Sequence, residues 1–287
     1  MEAVAALPAG RLCDTKSRKV VFAASLGFMA LLMASIGLTR NIYAVASIHA
    51  VMGIGAAGVT VSTLTMVTDL TARDNRGAGM GAFDFADVGG YALGLIIGAR
   101  LELFFSAHLG SAFFVTGLVV AFAFAVAVIV LKEPSHPHAR LEGGLNPFKA
   151  LDAQTKSTLP IWLGVTALLG MIFFLPRAFN RAGIGSGSTA GLLVLGVVVR
   201  GMGAIGFGAL SDRIGRGRVI LIGIFGLLGL LIVLSLSFEE GLHSVMRNLP
   251  ILELLVLMAS APIPTILATV GDRAVLERRD PPWACAA

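Results

Sequence analysis

Asp84, Asp87, Arg200 and His49 stand where a lipid-crossing helix tolerates polar groups least, each inside a long apolar run. A charge at membrane depth costs several kcal/mol unless it is paired or wetted. Asp84 and Asp87 are three residues apart and so share a helix face. At about 1.5 Å per residue they lie about 12 and 16 Å from Arg76, and Arg200 lies about 18 Å from Asp212. The chemistry open to such groups is ion pairing and proton exchange. His49 could take a proton near neutral pH, or serve as a hydrogen-bonded structural residue.

The elements that must hold these groups follow from composition. The chain has 287 residues, 56% apolar and 14% charged, with a mean hydropathy of +0.87. Soluble domains carry about 25% charge, so this is a membrane composition. Apolar runs long enough to span lie at about 20–38, 43–67, 78–99, 112–131, 159–175, 189–210, 219–238 and 249–270. They lack β alternation and are too long for barrel strands, which leaves helices. The predicted fold is an all-α membrane protein, a bundle of about eight transmembrane helices in two sets of four. Residues 1–132 form the first half and residues 159–287 the second. Residues 133–158, rich in Pro, Gly and His, read as a linker between them.

Charge orients the bundle. Sixteen Lys and Arg fall on one set of alternate joins and five on the other. The richer face should be cytoplasmic and includes both termini and the linker. The net charge of +5 therefore argues for loop placement and gives no sign of nucleic-acid binding. The acidic start Met1-Glu2-Ala3-Val4 does not read as a signal peptide. Cys13 and Cys285 fall in polar ends and imply no disulfide framework. No nucleophile–base set, phosphate loop or metal spacing appears. The chain is not expected to be an enzyme, with no catalytic residue, metal or cofactor.

Two polar interruptions repeat. Gly208-Ala-Leu-Ser-Asp212-Arg213-Ile-Gly215-Arg216-Gly-Arg218 reads as a short loop at a membrane surface. Gly10-Arg-Leu-Cys-Asp14-Thr-Lys-Ser-Arg18-Lys19-Val20 is a weaker copy. The first resembles the loop signature of the major facilitator superfamily, Gly-x-Leu-x-Asp-Arg-x-Gly-Arg-x-Arg, at every fixed position. The second keeps Gly10, Leu12, Asp14, Arg18 and Lys19 but has Thr15 and Ser17 at two fixed positions. Gly81, Gly90, Gly94 and Gly98 carry the spacing of that family's fifth-helix antiporter motif, with Leu95 in place of its proline. His49, Gly53 and Gly55 fit its fourth-helix pattern with histidine in place of arginine.

The resemblance implies a transporter of two related halves. The eight runs correspond to the family's third to tenth helices, as though the chain were cut at both ends. Gly10, Asp14, Arg18, Lys19, Gly208, Asp212, Arg213, Gly215 and Arg216 become a conformational latch at the cytoplasmic helix ends, or positive-inside anchors only. Asp212 should face the start of the helix beginning near Ala78. Arg200 should pair with Asp87 or Asp84 as a gate or proton-coupled site, or as a static ion pair. Gly81, Gly90, Gly94 and Gly98 become close-packing positions. Pro262 and Pro264 should kink the last helix, and Glu253 near the outer surface should be solvated.

The implied function is secondary active transport of a small solute by alternating access, as proton-coupled efflux or as metabolite or sugar symport. The alternative is a truncated fragment without transport of its own, associating through faces that absent helices would cover. Expected partners are membrane lipid, the solute and protons, and the expected location is the inner or plasma membrane.

Overall fold

The computed structural model describes residues 2–105, 109–133, 159–164, 167, 175–181, 183, 186–239 and 242–279. Among them there is no strand, and seven spans are long and apolar enough to cross a membrane. The helices are α1 (Glu2–Thr15), α2 (Arg18–Leu38), α3 (Ile42–Leu70), α4 (Arg76–Phe104), α5 (Leu109–Val130), α6 (Leu175–Arg181), α7 (Ser186–Ile214), α8 (Arg216–Glu239), α9 (Leu242–Arg247), α10 (Leu249–Ala259) and α11 (Pro262–Arg279). Most of the predicted 159–175 span lies outside the described residues, as does the linker beyond Glu133.

The helices run further than the apolar runs. Gly208–Arg218 is not the loop expected from its polarity. α7 continues through Ile214 and α8 begins at Arg216, so Gly215 alone makes the turn. Its φ of +93° is a left-handed conformation suited to glycine. Polar residues can extend a helix beyond lipid, so hydropathy marks the membrane and not the helix end. In the same way α1 reaches Thr15, and Cys13, expected in a polar end, is buried at 1% exposure.

The chain forms two compact units, Met1–Leu70 with Gly94–Ala150 and Thr71–Leu93 with Leu151–Ala287. The first turns of α4 thus belong with the second unit, for the polar contacts given below. In the first unit α2 packs between α3 and α5, and α1 lies on α3. Small residues allow this approach. A methyl group on Gly37 or Gly110 would overlap the other's carbonyl oxygen, and one on Gly117 would meet the Ala34 nitrogen at 2.9 Å. Such contact between backbones is the usual means of helix association where lipid removes the hydrophobic drive. Hydroxyls inside these helices are satisfied locally: Thr63, Thr65 and Thr68 donate to the carbonyls of Val59, Val61 and Leu64 at 2.7, 2.7 and 2.8 Å.

In the second unit α10 packs against α8 and α7, and α11 packs against both as well. The core gathers Phe179, Val245 and Leu252. The last span is broken at Ser260–Ala261 into α10 and α11, because Pro262 and Pro264 have no amide to continue the ladder. Pro262 opens α11 at a position where a missing amide costs nothing. Its ring fills the space a side chain at Gly223 would need.

Candidate functional site

The closest polar contacts in the second unit lie where α4 begins. Gly77, Gly81 and Gly208 have no side chains, so α4 and α7 touch through backbone. A Cβ on Gly208 would meet the Gly81 Cα at 3.1 Å, and one on Gly81 would meet the Ile205 Cα at 3.1 Å. This approach brings Asp212, near the end of α7, onto the free amides of α4. Its two carboxylate oxygens accept the Gly77 and Ala78 N–H groups, each at 3.0 Å. A helix N-terminus presents unpaired donors and a positive dipole end, so a carboxylate is the natural cap.

Arginines close the cluster. Arg76 is buried, pairs with Asp272 on α11, and donates to the Thr71 carbonyl at 2.8 Å. Arg216 reaches Asp272 at 2.7 Å and Asp212 at 3.8 Å. Charges thus alternate along Arg76, Asp272, Arg216 and Asp212. Each buried guanidinium has a carboxylate, without which burial would be unfavourable. Arg213 and Arg218 are exposed.

In the first unit Arg18 is buried and pairs with Asp69 near the end of α3. Ser17 caps α2 by accepting the Val20 amide at 3.2 Å, and its hydroxyl donates to Glu133. The Arg18 and Lys19 amides also donate to Glu133, at 2.8 and 2.9 Å. Partial burial alone would raise the Glu133 pKa. The Ser17 hydroxyl, the two amides and the Arg18 charge outweigh it and hold Glu133 below the usual carboxylate range. Asp14 lies half-exposed near the end of α1, and Gly10 lies against Val61.

These ion pairs repeat. Arg18 and Arg216 each follow the signature aspartate by four residues, and each opens the next helix. Each meets an aspartate near the far end of a later span, Asp69 or Asp272. Sequence reasoning named the arginines and missed both acids. The usable signal was an acid at the far end of the second span after each signature.

Deeper in the second unit, Arg200 Nη2 lies 3.1 Å from Asp84 Oδ1 and 3.3 Å from Oδ2. Asp84 is 4% exposed and Asp87 is exposed. The structure thus brings Asp84 to the arginine, because α4 meets α7 on the face of Gly77, Gly81 and Asp84. Phe85 lies beside Gly201. His49 sits on α3 of the first unit with an exposed side chain. Gly81 lies at the α4–α7 contact. At Gly90, Gly94 and Gly98 a Cβ would meet no atom of the described residues within 4 Å.

Comparison with known proteins settles the family. The family model of the Major Facilitator Superfamily matches residues 1–279. This chain belongs to that superfamily. Two curated superfamily relatives are both named Multidrug resistance protein MdtG. That of Dickeya zeae (strain Ech586) is 26% identical over 242 residues, which is 81% of this chain and 58% of that protein. That of Proteus mirabilis (strain HI4320) is 26% identical over 230 residues, 76% of this chain and 56% of that protein. The chain therefore spans somewhat more than half the length of the curated relatives it matches. Among solved structures, the human organic anion transporter MFSD10 (TETRAN) has a TM-score of 0.66 at 20% identity. The match covers 94% of this chain and 67% of that one, and it shows a shared fold. The superfamily accounts for the helical architecture and the multi-pass membrane location.

Proposed function

We propose that the chain serves secondary active transport of a small solute by alternating access, as proton-coupled efflux. The observation that carries this reading is the Asp212 carboxylate on the Gly77 and Ala78 amides. It ties the cytoplasmic end of α7 to the start of α4 by contacts of charge and dipole, which a small displacement breaks as a set. Gly10, Asp14, Arg18 and Lys19 carry the corresponding signature in the first half, where Arg18 pairs with Asp69.

Arg200 and Asp84 supply the coupling. A proton on Asp84 removes half of the ion pair and frees the guanidinium. Asp87, one turn further along α4, offers a second carboxylate on the same path. His49 is a further proton carrier in the first half. The names of the relatives, both multidrug resistance proteins, favour export over metabolite or sugar symport. The charge asymmetry of the joins supports a plasma or inner membrane location with both termini cytoplasmic.

Proteoliposomes loaded with a pH-sensitive dye test the reading. Addition of drug-like solutes should release protons across the membrane in proportion to solute. Proton movement no greater than in protein-free vesicles would contradict it, and would favour a chain that needs further helices to transport.

A further inference from the structure

The starts of α2 and α8 occupy matching places, because Arg18 and Arg216 each follow a signature aspartate by four residues. In α2 the first three amides have side-chain acceptors. The Arg18 and Lys19 amides donate to Glu133, and the Val20 amide donates to Ser17. The matching amides of α8 belong to Arg216, Gly217 and Arg218. Gly215 stands where Ser17 stands and has no hydroxyl to offer. The first turn of α8 contains no acid. A Cβ on Gly215 or on Gly217 would meet no atom within 4 Å among the described residues, so the space over this helix start is open. Among the described residues no carboxylate does for α8 what Glu133 does for α2.

Positive charge is in excess around that open start. Arg213 and Arg218 are exposed, one in the last turn of α7 and one in the first turn of α8. Arg216 is already paired with Asp272. Unpaired amides, the positive end of a helix dipole and two exposed guanidiniums together favour an anion. Depth decides which anion. The spans Gly191–Ile214 and Arg216–Ser237 meet at Gly215, so the turn lies at the edge of the hydrocarbon. Lipid phosphates lie at that depth, and basic residues there favour lipids of net negative charge. We infer that the start of α8 binds the phosphodiester of an anionic lipid headgroup, with the phosphate on the Gly217 and Arg218 amides and the Arg213 and Arg218 side chains beside it. The lipid takes the place that Glu133 fills in the first unit. The site concerns the membrane and not the solute, so it stands whether or not the chain transports.

Phosphatidylglycerol is the probe, and zwitterionic phosphatidylcholine is its comparison. The delipidated 287-residue chain in detergent would be titrated with each, and the lipids it retains counted by native mass spectrometry. One phosphatidylglycerol should be held about fivefold or more tightly than phosphatidylcholine, the scale of one basic residue at the membrane surface. Gly217→Asp places a carboxylate in the open space. It should remove the preference, with an unfolding midpoint unchanged or raised. Arg213→Gln combined with Arg218→Gln leaves the glycine in place and should also remove most of the preference. Lys16→Gln changes the net charge as much as Gly217→Asp does, at an exposed position of the first unit, and should leave the preference intact. Equal retention of the two lipids by the wild type overturns the inference. So does a loss in Lys16→Gln as large as that in Gly217→Asp, which would assign the preference to overall charge. Release of the lipid by millimolar inorganic phosphate also overturns it, since the site would then be one for the free ion.

Discussion

The Asp212 carboxylate lies 3.0 Å from the amide of Gly77, at the first turn of α4. Two helices far apart in sequence are joined there by a carboxylate and unpaired backbone donors. The contact depends on charge, on dipole and on the absence of a side chain at Gly77.

Removing charge alone is the mildest test. Asp212→Asn keeps an oxygen for one amide but loses the anion that faces the helix dipole and Arg216. A loss of about 1–2 kcal/mol is expected, from the size of partly buried dipole contacts. Thermal unfolding in detergent would measure it. An unchanged midpoint would show that the cap contributes no stability.

Steric demand separates packed glycines from open ones. Gly81→Ala places a methyl against the Ala204 and Ile205 backbone of α7. Overpacking of this kind costs about 1–3 kcal/mol. Gly206→Ala on α7 meets no atom within 4 Å among the described residues. It should be neutral or stabilising by up to about 1 kcal/mol, through helix propensity. Parallel unfolding curves of the two variants would check the contrast.

Asp272 joins two guanidiniums, so its loss should exceed that of an ordinary surface acid. Asp272→Ala leaves Arg76 and Arg216 short of a carboxylate in a largely buried setting. About 3–5 kcal/mol is expected for breaking a buried pair by one partner. Pairing it with Arg216→Ala should cost less than the sum of the two single changes, which a double-mutant cycle would read directly.

The Arg200–Asp84 pair can be tested by reversal. Arg200→Asp combined with Asp84→Arg should recover membrane expression that either single change loses. Arg200→Asp combined with Asp87→Arg should recover little. Equal rescue by both combinations would remove the case for Asp84 as the partner.

Glu133 predicts a pH response at the α2 start. Its folded pKa is depressed below the ordinary glutamate value of about 4.3. Its contribution to stability is therefore fully present above that value and is lost as pH falls through the folded pKa. Glu133→Gln should flatten the stability profile on the acid side of about pH 4.3 and leave the neutral region's slope unchanged. A steep acid slope retained in the variant would assign the response to other carboxylates.

Much of the architecture was legible because lipid restricts the choices. Long apolar runs must be helices, and the signature at Gly208–Arg218 fixed their register. From that register the sequence could set Asp212 against the start of α4. It could not choose between Asp84 and Asp87, because residues three apart share a face and only the packing of α7 selects one. Asp69, Asp272 and Glu133 were missed for another reason. Each is a single acid at the end of an apolar span, without a motif around it, and its partner lies far along the chain. The eleven-residue loop was misjudged because polarity marks the membrane surface while helices continue past it. Glu253 was expected to be solvated from its depth alone, yet one of its oxygens is buried without a hydrogen-bond partner among the described residues.

The central claim is coupled transport through this chain. Its most direct test is the movement of Hoechst 33342 in proteoliposomes of the 287-residue protein under an imposed pH gradient. Dye should move against its own gradient, stop when the pH gradient is collapsed, and fail to move in Arg200→Ala. Dye movement equal to that of protein-free vesicles, or unchanged in Arg200→Ala, would contradict the account.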